Sequence, residues 1–179
     1  PIKLIQLKNN YGFAEGYNIS IGRVETPYVL LLNSDVEVTP NWIQPMLTYM
    51  EEHQNVIAVQ PKILQYKDKT KFEYAGGAGG FIDKFGYPFC RGRIFSSIEE
   101  DKGQYNDIRQ IFWASGACML VRRVDFVDYG GLDENFFTHQ EEIDFCWRVN
   151  SRGRKVFYIP NSVVYHLGGG TLEQSNPRK

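Results

Sequence analysis

The residues able to do chemistry sit at a few separated places in the chain. Asn33-Ser34-Asp35, with Glu37 close behind, sets polar oxygens directly after five apolar residues, Tyr28-Val29-Leu30-Leu31-Leu32. Hard cations take oxygen ligands, and Mg²⁺ is commonly held by one or two carboxylates together with substrate phosphates. Asp35 is therefore a candidate metal ligand, although the same triplet also reads as a plain turn. Glu141, Glu142 and Asp144 crowd the start of a helical stretch. Acids there complement the helix dipole, and Asp144 can pair with Arg148 one turn on; a carboxylate so presented can also serve as a general base. His166 ends an apolar segment just before Leu167-Gly168-Gly169-Gly170. Imidazole is a common metal ligand and makes His166 a candidate for Mn²⁺, and a structural histidine fits the position as well.

The elements that must position these groups follow from periodicity. The run at residues 28–32 is expected as a strand buried on both faces of a parallel sheet. In such sheets ligands gather beyond the carboxyl ends of the strands, which is where residues 33–35 fall. Upstream, residues 2–7 read as a strand and residues 14–23 carry helical spacing, so the three segments together predict a β-α-β unit with a right-handed crossover. The loop between them contains Asn10 and Gly12, and the helix contains Asn18. A helix N-terminus with free N–H groups is an anion site, so these residues can approach a phosphate; turn and capping roles account for them too.

Downstream, Thr39-Pro40 reads as an N-cap and first helical residue. The helix it opens carries Trp42, Met46, Leu47 and Met50 and ends near His53, a residue placed to complement the helix C-terminus. Residues 56–60 are expected as a strand closed by Pro61. Residues 112–121 read as a strand broken by small residues, Gly116 among them, which let a backbone or ligand come close. A short helix from Arg122 ends at Gly130-Gly131, the acidic helix ends at Gly153, and residues 156–160 and 162–165 are two further strands.

Residues 66–110 have a different texture. Tyr74 is followed by a glycine-dense run to Gly80, then by Phe81, Phe85, Tyr87, Phe89, Arg91 and Arg93. Aromatic density argues against disorder, and a long segment without periodicity is often functional. It is read as an insertion within one domain. If, as the family resemblance of its motifs implies, the chain handles sugars, these rings could stack on them and Arg91 or Arg93 could meet a phosphate, making it an acceptor loop; packing is the commoner explanation of such rings. The glycines lack G-x-G-x-x-G spacing, which excludes a dinucleotide fingerprint.

Composition sets the outer bounds. At 179 residues and 42% hydrophobic content, one domain is expected. A net charge of −1, from 20 basic and 21 acidic residues, gives no excess of positive charge for nucleic acid. The apolar stretches are too short to span a bilayer. Cys90, Cys118 and Cys146 have no C-x-x-C spacing, so they are expected as reduced, buried thiols of a cytoplasmic protein.

Ordered motifs run through nearly the whole chain: N-x-G-x-x-x-G-x-N from Asn10, L-L-N-x-D-V-E ending at Glu37, G-A-C-M-L-V-R-R from Gly116, G-G-L-D-E-x-F-F from Gly130, E-E-I-D-x-C-W-R from Glu141, and H-x-G-G-G from His166. In this order they resemble glycosyltransferase family 2, inverting nucleotide-sugar transferases. The resemblance implies an α/β GT-A fold, Rossmann-like, with a mostly parallel central sheet flanked by helices. It implies a divalent metal, Mg²⁺ or Mn²⁺, held by Asp35 and His166. Asn10, Gly12, Asn18, Asn33, Ser34, Asp35 and Gly116 would line the site of a nucleotide-diphosphate sugar donor. Glu142 would be the base, with Glu141 the competing choice, and Glu142 is expected to be ionised at neutral pH like an ordinary glutamate. The acceptor would be a glycan or lipid-linked sugar. Residues 1–179 would form one partial GT-A domain, since the family carries a strand-helix-strand segment before the point matched by Pro1. Such an enzyme would work in the cytoplasm, with peripheral association at the inner face of the membrane compatible with the sequence. An inactive truncated domain that acts as a binding module is the alternative.

Overall fold

The computed structural model describes residues 2–136 and 139–168. In chain order the elements are α1 (Gly12–Ile21), β1 (Tyr28–Leu32), β2 (Val36–Val38), α2 (Ile43–Glu52), β3 (Val56–Gln65), β4 (Gly80–Ile82), β5 (Pro88–Cys90), β6 (Arg93–Ile94), β7 (Ser97–Ile98), β8 (Arg109–Ile111), β9 (Cys118–Arg122), α3 (Arg123–Asp128), α4 (Glu141–Ser151) and β10 (Lys155–His166). The main sheet has the order β1-β9-β3-β10-β2, and β8 pairs with β10 beside it. Of its pairings only β3 with β10 is parallel; the rest are antiparallel.

The α/β class and the flanking helices agree with the sequence reading, and the strand directions correct it. The sheet is mixed rather than mostly parallel. Residues 2–7 form no ladder, with Ile2 and Leu4 exposed, so the expected β-α-β unit is not formed among the described residues. Among the described residues β1 pairs with β9 alone, and Leu31 is its one fully buried residue. Pro61 does not close its strand either. It lies opposite Ile159, where the β3–β10 register shifts, and a missing N–H is tolerated at such an irregularity. The same irregularity joins the two expected C-terminal strands into one, β10. The expected cap Thr39 instead donates its hydroxyl to the Val163 carbonyl at 2.8 Å.

Helices pack on both faces. Met46 and Met50 of α2 press on Val59, Leu120 and Ile159. On the other face Ala14 and Ile21 of α1, Phe126 of α3, and Phe145 and Val149 of α4 meet Leu31, Ala58, Val121 and Val156. Each such side chain contributes roughly 1.5–3 kcal/mol when fully buried. The three cysteines are free and buried, as expected.

Residues 66–110 are ordered as two hairpins, β4–β5 and β6–β7, folded back on the core. Phe72 is fully buried, and Lys62 reaches from β3 to Asp101 and Asn106, each at 2.6 Å. Gly80 lies flat under the Trp113 indole, so close that a Cβ there would stand 2.1 Å from ring atoms. Arg91 is held by Asp107 and the Ala78 carbonyl, and Arg93 covers the Tyr74 ring.

Candidate active site

The site is built where β1 stops and β9 starts. Leu32 pairs with Cys118, and the Asn33 N–H donates to the Ala117 carbonyl at 3.0 Å. Tyr17 of α1 braces this point, its hydroxyl donating to the Leu32 carbonyl (3.1 Å) and accepting from the Leu32 N–H (3.0 Å). β2, only three residues on, belongs to the opposite end of the strand order, where Val36 pairs with His166. Residues 33–35 therefore carry the chain across the end of the sheet. β9 leaves room because its ladder with β3 involves only Val121 and Leu120.

That crossing sets Asp35 against the last residue of β10. The Asp35 carbonyl accepts from the Leu167 N–H (3.1 Å), and Asp35 Oδ1 lies 3.2 Å from His166 Nε2. Asn33 Nδ2 approaches the same ring nitrogen at 3.4 Å. On the other side of the ring, His166 Nδ1 faces Glu73 Oε1 at 3.6 Å. Glu73 is buried, and its second oxygen accepts from the Ala75 N–H at 2.6 Å. Burial would lower the imidazole pKa, but Glu73 and then Asp35 outweigh it and hold the ring above the usual histidine range.

These residues fit a divalent cation. Asp35 Oδ1 and the Nε2 edge of His166 converge from two separate segments, with the Asn33 side-chain amide also 3.4 Å from Nε2. With the ring neutral and its proton on Nδ1, the Nε2 lone pair would face the carboxylate and a cation would join the two, whereas with Nε2 protonated the ring itself pairs with Asp35. Neighbouring ligands of an octahedral ion at about 2.1 Å stand about 3.0 Å apart, close to the separation seen. Among the described residues no cluster of three or more His, Cys, Asp or Glu side chains could hold a metal. The pair would leave the remaining positions to phosphate oxygens and water.

The carboxylates of α4 lie beyond Gly116. A Cβ on Gly116 would meet Glu142 Cβ at 3.9 Å and the Phe13 ring at 3.1 Å, so the absent side chain lets both pack against the backbone here. The chain enters α4 through His139 (φ 70) and Gln140 (φ 74), two left-handed residues in succession. Such backbone costs of order 1–3 kcal/mol per residue and gathers at functional sites. Glu141 Oε2 and Glu142 Oε2 are both shielded from solvent without a hydrogen-bond partner. Burial, then the charge of Glu141, pushes the Glu142 pKa up to about 7, against the pull of the peptide groups of Glu142, Gly116 and Gln140. Glu141 is also raised, chiefly by burial. This corrects the expectation of an ordinary Glu142: near neutral pH it is poised between its two protonation states.

Other expected residues are placed as follows. Asn10 Oδ1 accepts from the Gly12 N–H at 3.0 Å, and Gly12 has φ 75. Asn18 engages both polar groups of Leu132 and donates to Glu134, tying α1 to the segment before α4. Ser34 is exposed. Arg148 pairs with Asp144 at 2.7 Å, as its spacing implied. Gly169, Gly170 and the tail from Thr171 lie outside the described residues. Glu73 was missed, because nothing in the sequence links an acid before the glycine-dense run to a distant histidine. Two open clefts stand elsewhere, about 610 Å³ beside Gln44, Tyr49 and Asn161 and about 510 Å³ beside Asn18, Glu134 and Arg148.

An α/β domain with a mixed sheet and an acid–imidazole pair beyond its strand ends has a clear structural relative. The fold superposes on a crystal structure of GalNAc-T7 with UDP, GalNAc and Mn²⁺, with a TM-score of 0.68, covering 90% of this chain and 31% of that one at 15% identity. That likeness is one of fold and supports the GT-A architecture. The model of the family named Glycosyl transferase family 2 matches residues 1–130, and the chain belongs to that family. It is similar to the rhamnosyltransferase WbbL of Escherichia coli, 26% identical over 165 residues that cover 87% of this chain and 61% of the relative. It is also similar to the N-acetylglucosaminyl-diphospho-decaprenol L-rhamnosyltransferase of Mycobacterium tuberculosis, 24% identical, with 92% and 58% covered. The chain thus spans about three fifths of the length of these relatives.

Proposed function

We propose that this chain carries out metal-dependent transfer of a sugar from a nucleotide-diphosphate donor to a glycan or lipid-linked acceptor, with inversion at the anomeric carbon. The observation that supports the reading is that Asp35 meets His166, while Asn33, two residues before Asp35, bonds to Ala117 and Glu142 lies against Gly116, so both groups are tied to one two-residue segment. Family membership and relatives named as rhamnosyltransferases support it, and the name of the mycobacterial relative points to a lipid-linked acceptor. Asp35 and His166 would hold Mg²⁺ or Mn²⁺, which in such sites offsets charge on the departing diphosphate. Glu142 accepts the proton of the acceptor hydroxyl as that oxygen bonds to the anomeric carbon and the bond to the diphosphate breaks. A base whose pKa lies near the working pH combines availability with driving force. Glu141, one residue earlier, keeps that pKa up by its own charge.

The test uses protein containing this chain, a panel of UDP- and dTDP-hexoses including rhamnose, Mn²⁺, and prenyl-diphosphate-linked N-acetylglucosamine. Nucleoside diphosphate release is expected to need the metal and to fall at least about 10²-fold in Asp35→Asn, in line with the loss of an electrostatic contact at the reacting group. Proton NMR of the product should show the anomeric configuration reversed. Retained configuration, or full turnover by Asp35→Asn, would overturn the proposal.

A further inference from the structure

We infer that Glu73 is a positioning residue, holding the His166 ring with its proton on Nδ1 so that Nε2 is free to bind a cation beside Asp35. The inference rests on the metal-dependent reading above and extends it to a residue outside the matched motifs. Three observations carry it. Glu73 and Asp35 lie on opposite faces of one ring, 3.6 Å from Nδ1 and 3.2 Å from Nε2, so Glu73 cannot share a cation with Nε2. Asn33 Nδ2 stands 3.4 Å from Nε2, an arrangement in which the amide N–H can donate to Nε2 when the ring proton is on Nδ1, the nitrogen that faces Glu73. His166 Nδ1 is buried without a hydrogen-bond partner, and the Glu73 carboxylate 3.6 Å away is the acceptor it faces.

The fold fixes Glu73 for this task. Its Oε2 is anchored by the Ala75 N–H, which leaves Oε1 for the ring. Its own N–H donates to the Ile63 carbonyl, securing the segment to β3, the parallel neighbour of the strand that carries His166. Gly168, at φ 61, passes so near that a Cβ there would stand 3.1 Å from Oε1. A histidine that binds a metal usually donates its other N–H to a carboxylate or carbonyl, which fixes the tautomer and raises its basicity. Without Glu73, the proton has a ready partner on the opposite side: it moves to Nε2 and bonds to Asp35, blocking the lone pair.

The experiment uses the 179-residue chain labelled with ¹⁵N at histidine, with three ring systems to assign. Long-range ¹H–¹⁵N spectra, recorded at a pH where the ring is neutral, should show His166 as the Nδ1–H tautomer. In Glu73→Ala the proton should shift to Nε2, while Glu73→Gln, whose amide oxygen still accepts, should keep it on Nδ1. Titration with MnCl₂, followed by paramagnetic broadening of His166, should show affinity lowered about 10–100-fold in Glu73→Ala, the usual cost of losing such a partner, with partial rescue in Glu73→Gln. Circular dichroism confirms that each variant is folded. An Nε2–H tautomer in the parent chain, or a tautomer and Mn²⁺ affinity unchanged by Glu73→Ala, would overturn the inference. Should the tautomer follow Glu73 while the parent chain binds no Mn²⁺, the positioning role stands and the metal-dependent reading fails.

Discussion

Replacing Glu142 with glutamine should make the protein more stable, and by an amount that depends on pH. The carboxyl is raised from 4.5 to about 7 by burial and by Glu141. The folded state therefore holds its proton more tightly than the unfolded chain, and stability falls as pH rises between those two values. At 1.36 kcal/mol per pKa unit, the ionised carboxylate costs about 3 kcal/mol at pH 8 and about 1 kcal/mol near pH 5. Glutamine keeps the shape and cannot ionise. Urea unfolding of both proteins should give curves that differ by about 1 kcal/mol at about pH 5 and by about 3 kcal/mol at about pH 8, the variant being the more stable. Transfer should fall in the same variant by about 10²–10⁴-fold, the range for loss of a general base. The parent rate should climb with pH through about 7 as Glu142 ionises. A stability difference that does not change with pH would show that Glu142 is not a buried acid, and the reasoning about its basicity would go with it.

Two further outcomes concern the frame around the site. Lys62→Met should leave Asp101 without its cation; loss of one partner from a buried pair costs about 3–5 kcal/mol. Urea midpoints would record the loss, and limited proteolysis should cut residues 66–110 faster; an unchanged midpoint would refute the role given to the pair. Gly80→Ala would drive a methyl into the Trp113 indole. A destabilisation of about 1–3 kcal/mol or more is expected from overpacking, with altered tryptophan fluorescence, and a silent substitution would contradict the packing described.

The sequence was most informative where a pattern is local. β1 begins and ends where the apolar run does, and α1, α2 and α4 follow from side-chain spacing. Strand direction is not local: whether residues 28–32 run parallel or antiparallel to a neighbour depends on which distant segment pairs with them, and that proved to be β9. Pro61 was misread because the irregularity that tolerates it belongs to the partner strand. Within the candidate site, residue types and the family resemblance singled out Asp35, His166 and Glu142 as candidates, but the raised pKa of Glu142 comes from how deeply its oxygen is shielded, which no spacing reveals. Glu73 reaches His166 only because residues 66–110 fold back along β3.

The short bridge from β1 to β2 also constrains how the protein can change. Each of its ends is locked into a ladder at an opposite margin of the sheet, Leu32 to Cys118 and Val36 to His166. Adding or deleting a single residue between them would slip one ladder by a position and turn its side chains to the wrong face. The exposed Ser34 can therefore be exchanged at little cost, but lengthening or shortening the span would uncouple Asp35 from His166, so the bridge tolerates a new side chain at its middle and no change of length.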